Sequence, residues 1–179
     1  LEINEIIMNE FYKKYFRGER NQSFAFIVLG IVAMLIGAYL AYRFRTPFFY
    51  GIFLPFGLIG LLDIIVGAKV AMRTPAHLER IKNSLTYDPL KMQTEELPRM
   101  KKVMRRFFVL KWLEIFLLVL GAAFVYVYAL HSFGKGFGTG LAIMVAINII
   151  LDSFAERRAN VYLRTLKNPM AKSVITSKP

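Results

Sequence analysis

Five polar residues set among apolar runs carry most of the chemistry this chain can offer: Asp63, Glu114, Asn148, Asp152 and Glu156. Asp63 follows Pro47 by 16 residues, and Asp152 follows Gly136 by 16 residues. On helices rising about 1.5 Å per residue, both carboxyls then lie about 24 Å from the start of their segment. Against a hydrocarbon core roughly 30 Å thick, that is inner-leaflet depth. Glu114, near the start of a segment running the opposite way, falls at a similar level. Asn148, Asp152 and Glu156 are spaced i, i+4, i+8 and share one helix face. A charge at the membrane centre costs about 2.5–3.5 kcal/mol, less near the interface, so these acids are expected to face inward and be paired. Lys69, Arg73, Lys111, Arg157 or a bound cation are the candidate counter-charges.

Two uses of such a set compete. In one, the acids line a cation or proton path, or grip a basic segment of a partner. In the other, they form a salt-bridge layer that fixes helix register, with Glu114 tied to Lys111 one turn away.

Other chemistry is poorly supplied. The chain has no Cys, which removes disulfides, thiolate metal sites and cysteine nucleophiles. Its two histidines, His77 and His131, are expected on opposite membrane faces and cannot share a metal or haem. No Ser/His/Asp set is visible. Glu95-Glu96 with Arg99 lies in a loop, and no histidine motif follows that would make it a metalloprotease site. The run from Gly134 to Gly140 alternates glycine like a phosphate-cradling loop, but it is not GxxxxGK[ST] and no strand precedes it. A flexible tip with glycines for close helix approach is the expected reading. No cofactor is implied.

The elements that must position the acids are membrane spans. Of 179 residues, 56% are hydrophobic and 15% aromatic, and mean hydropathy is +0.44. That is above the apolar share of ordinary soluble domains and excludes disorder. Ser23–Tyr42 is uncharged over 20 residues, and Pro47–Val66 carries Asp63 alone. Phe107–Leu130 is interrupted near its start by Lys111 and Glu114, and Gly136–Leu151 is uncharged until Asp152. Each run is about long enough to cross a bilayer. The predicted fold class is all-α: a polytopic membrane protein of four transmembrane helices arranged as two hairpins, with cytoplasmic amphipathic helices.

Lys and Arg sort around these spans. Four fall in residues 1–22, ten between Lys69 and Arg106, and six after Asp152. The two short connections hold only Arg43, Arg45 and Lys135. Positive residues stay inside, so both termini and the central connection are expected in the cytoplasm, in a bacterial cytoplasmic (inner) membrane. The formal charge of +12 is read as topology and not as nucleic-acid binding. Arg99, Lys101, Lys102, Arg105 and Arg106 abut a span and are expected to meet anionic lipid headgroups, at about 1 kcal/mol per residue.

Residues 1–22 read as an amphipathic interfacial helix, not as a cleavable signal peptide. The first transmembrane hairpin is 23–70, and the basic connection with short helices is 71–106. The second hairpin is 107–155, and the extension and tail are 156–179. Thr74-Pro75 reads as a helix start, and Pro98 as a first-turn proline after Thr94-Glu95-Glu96. One helix is expected from there into the third span, and the fourth is expected to continue to about Lys167. Pro55 should kink the second span.

Ala33, Gly37 and Ala41 recur at the four-residue spacing of close helix packing. They suit either internal packing or a contact with another subunit. Leu62-Asp63 and Leu151-Asp152, with Lys13-Lys14 and Lys101-Lys102 upstream, suggest two copies of one hairpin about a pseudo-twofold axis.

Three function classes are consistent with these features. The first is a non-catalytic subunit or binding partner in a membrane assembly, such as an assembly factor or immunity-type protein. It would have a membrane-protein partner or form a homo-oligomer. The second is a small oligomeric transporter or channel using Asp63, Glu114 and Asp152. The third is a lipid-directed enzyme, for which Glu114, His77 or Asp152 would supply acid–base chemistry without any evident nucleophile.

Overall fold

A computed structural model describes residues 2–87 and 95–167. They form four long helices: α1 (Glu2–Phe44), α2 (Pro47–Tyr87), α3 (Leu97–Val127) and α4 (Phe133–Lys167). All four are long and apolar enough to cross a membrane, over Tyr15–Phe44, Pro47–Thr74, Leu97–Val127 and Phe133–Arg164. At 43 residues α1 is about 65 Å long, roughly twice a hydrocarbon core. α1 and α2 are therefore each far longer than a single crossing needs.

Several boundaries differ from expectation. No break separates an N-terminal helix from the first span, because α1 runs through residue 22 without interruption. Thr74-Pro75 does not start a helix, and α2 passes through it. Thr74 is buried and its hydroxyl donates to the Val70 carbonyl at 2.7 Å instead of capping a new turn. Its polar group is thus satisfied within the helix already running. The glycine-rich run Gly134–Gly140 is not a flexible tip but the first two turns of α4. Pro98 does sit in the first turn of α3, which runs unbroken to Val127, and α4 ends at Lys167. The turn at Asp88-Pro89 and the tail after residue 167 lie outside the described residues.

Both tips are closed by short-range bonds. Arg45 adopts the left-handed region (φ 51°) and its N–H reaches the Ala41 carbonyl at 3.1 Å, an αL termination by a residue other than glycine. Pro47 then opens α2 where its missing N–H costs nothing. At the other tip the Ser132 hydroxyl accepts from the Lys135 N–H at 3.2 Å, capping α4.

The helices pack in the order α1–α2–α4–α3. Glycine sets the approach at each seam: Gly30 meets Gly60 between α1 and α2, Gly51 meets Gly136 between α2 and α4, and Gly121 meets Gly138 between α3 and α4. A side chain at any of these would enter the neighbouring backbone. Ala33 joins Ile52, Phe56 and Met144 in one buried cluster. Gly37 lies against Phe53 and Phe56, and Ala41 is buried. The small-residue stripe of α1 thus packs inside the bundle. Pro55 is fully buried, with its ring against Gly140. Nearer the termini, Phe16, Met100, Ala159, Tyr162 and Leu166 form a second cluster that brings α1, α3 and α4 together. Large apolar side chains, among them Leu35, Leu58, Phe116 and Ile150, cover the outside.

Candidate functional site: a polar layer across four helices

One stripe of α4 organises the site. The Asn148 side-chain amide donates to Asp63 Oδ1 on α2 at 3.0 Å. One turn on, Asp152 lies close enough to Glu114 on α3 for the two carboxyls to influence one another's charge. Another turn on, Glu156 accepts from the Lys111 ammonium, also on α3. From α1 the Gln22 amide donates to the Leu151 carbonyl at 2.6 Å. The α-helical spacing that puts 148, 152 and 156 on one face lets that face meet α2 and α3, while the Leu151 carbonyl meets α1. Asp63 is 7% exposed and Glu114 6%.

All five sequence-predicted residues come together in this layer. Lys111 is the counter-charge: its hydrogen bond goes to Glu156, while it also lies near Glu114 and Asp152. Arg73 meets Glu19 on α1 at 3.5 Å and so is not part of the layer. Gln22 was not foreseen, since nothing in a single sequence says which carbonyl a lone amide will meet.

A second polar set lies nearer the termini and also escapes sequence reasoning. Buried Glu96 binds Arg99 through two bonds of 2.7 and 2.5 Å and accepts from the Tyr162 hydroxyl at 3.0 Å. Arg158 donates to the Gly18 carbonyl. Arg99 thus turns inward to a carboxylate, whereas Lys101, Lys102, Arg105 and Arg106 are exposed. The only hint was the i, i+3 placement of Glu96 and Arg99, a pattern common on solvated helix faces.

Among the described residues, four buried side-chain atoms lack a hydrogen-bond partner: Gln22 Oε1, Asp63 Oδ2, Glu114 Oε2 and Asn148 Oδ1. All are acceptors, and each comes from a different helix. The Gln22 amide orientation is fixed because a backbone carbonyl can only accept, and that of Asn148 follows with Asp63 ionised. Such oxygens can hold a donor or a cation. Among the described residues, no three of His, Asp and Glu are gathered to hold a metal ion by themselves. No protein-family model, curated protein or solved structure matches the chain.

Proposed function

We propose that this chain is a non-catalytic integral membrane protein that acts as one component of a membrane assembly. The observation that carries the reading is the placement of α3. It packs chiefly on α4 at one end of the row, and of its 31 residues only Met100, Glu114 and Gly121 are buried. Phe108, Trp112, Phe116 and Val119 are open to whatever lies beside them. Helix association in a bilayer needs close contact and not water exclusion, so an edge helix suits a second polypeptide's transmembrane helix. In this reading the chain sits in the bacterial inner membrane as two hairpins, with cytoplasmic termini. Lys101, Lys102, Arg105 and Arg106 then meet anionic headgroups.

Native mass spectrometry of the protein extracted gently from its own membranes is the test. A stoichiometric second polypeptide is the expected result. A chain that purifies alone, and whose deletion leaves every membrane complex intact, would rule the reading out.

The unpartnered acceptor oxygens favour a second reading, a small oligomeric transporter or channel that uses the acids at inner-leaflet depth. Asp63→Asn and Asp152→Asn should then abolish ion-dependent flux at unchanged expression. Flux preserved in both variants would remove this alternative.

A further inference from the structure

The polar layer gathers more carboxyls than it has salt-bridge partners. Asp63, Glu114 and Asp152 contribute three carboxyls, and among the described residues no lysine or arginine forms a salt bridge with any of them. The nearest ammonium, Lys111, is bound by a fourth acid, Glu156. The two amides of the layer are neutral and supply no charge: each gives one N–H to its partner and presents an unpartnered oxygen. Water could supply donors to these oxygens but no charge. Burial of uncompensated carboxylates in an apolar bundle is costly, so the layer must be neutralised by protons or by a bound cation.

The surroundings narrow what such a cation is. Asp63 and Glu114 are more than nine-tenths buried between helices, so an arginine or lysine of another chain could reach them only by parting the bundle. A divalent metal held by carboxylates alone is not favoured either, since no three acids gather on one point among the described residues. A small monovalent ion accepts mixed carboxylate and amide oxygens.

We propose that the layer binds an alkali cation, Na⁺ or K⁺, through the unpartnered oxygens of Asp63, Glu114 and Asn148, with Gln22 bringing α1 to the same layer. The ion links the helices and supplies the missing charge. Its binding is independent of the assembly reading, because the site lies within one chain.

The test uses the full chain purified in detergent as a single polypeptide. Thermal unfolding is followed at fixed pH and ionic strength in sodium, potassium or choline chloride. One alkali salt is expected to raise Tm saturably over choline by about 5 °C or more. Asp63→Asn and Glu114→Gln should both lose that rise. Equilibrium dialysis of the unaltered chain against radiolabelled sodium and rubidium, the latter standing in for potassium, decides the matter if the variants do not fold. One saturable site for either ion is the expected result. Equal Tm in all three salts, no saturable site, or an ion-specific rise retained by both variants would overturn the proposal. None of these outcomes depends on a partner, so the assembly reading stands or falls separately.

Discussion

Lys111 has two acidic neighbours that compete for one ammonium, and that makes its replacement informative. It holds Glu156, and Glu114 lies three residues further along the same helix. Lys111→Met removes the ammonium that binds Glu156 and lies near Glu114 and Asp152, and should destabilise the fold by about 1–3 kcal/mol. Glu156→Gln leaves that ammonium free to turn toward Glu114 and Asp152, and should cost under about 1 kcal/mol. Thermal unfolding of the two purified variants compares them directly. A larger loss in Glu156→Gln would mean that the pair, and not the local charge balance, is what matters. In the second polar set, Tyr162→Phe removes one neutral donor from Glu96 and should cost about 0.5–1.5 kcal/mol. Arg99→Met strips both bonds from a buried carboxylate and should cost more, about 3 kcal/mol. The stripe 148, 152, 156 was legible because helical spacing is a local property. Its partners were not: Gln22 and Leu151 are 129 residues apart, and Lys111 and Glu156 are 45 apart. Contacts at those separations depend on which helices are neighbours, and no residue type encodes that.

Among the elements, the seams between helices depend on side chains that are missing. At Gly136 an added Cβ would enter the Phe48 backbone, whereas at Gly57 it would meet nothing within 4 Å. Gly136→Ala should therefore destabilise by about 1–3 kcal/mol, since backbone must shift to admit it. Gly57→Ala should be neutral or stabilising by up to about 1 kcal/mol, through the lower conformational cost of alanine in a helix. Unfolding of the two variants in one detergent separates packing from helix propensity: equal effects would show that the α2–α4 seam yields freely. The four spans were readable from apolar runs, and the start of α3 from Pro98, whose missing N–H does no harm there; the full lengths of α1 and α2 were not. Thr74-Pro75 misled because a start signal is local, while continuation of α2 depends on what surrounds it. A threonine whose hydroxyl bonds back to Val70 satisfies itself in mid-helix as well as it would at a cap.

For the whole molecule, the packing order carries more than a list of seams. Exchanging α1 with α3 and α2 with α4 leaves the order α1–α2–α4–α3 unchanged. That is the order two parallel repeats would give, with Asp63 and Asp152 in equivalent places on the central pair. If the repeats are parallel, both tips lie on one face of the membrane and both termini on the other, and the distribution of Lys and Arg selects the face. The absence of cysteine makes this directly testable, because a single introduced thiol is the only site a maleimide can label. Arg43 and Leu130 are exposed at the two tips, and Lys101 and Arg157 are exposed at the other end of the bundle. A membrane-impermeant maleimide should label Arg43→Cys and Leu130→Cys in spheroplasts, and should reach Lys101→Cys and Arg157→Cys only after permeabilisation. The reverse pattern would move the polar layer to the outer leaflet, where an ion held by Asp63 and Glu114 would exchange with the exterior. Labelling of one tip but not the other would break the parallel repeat itself, because the two tips could then no longer be related by an axis along the membrane normal.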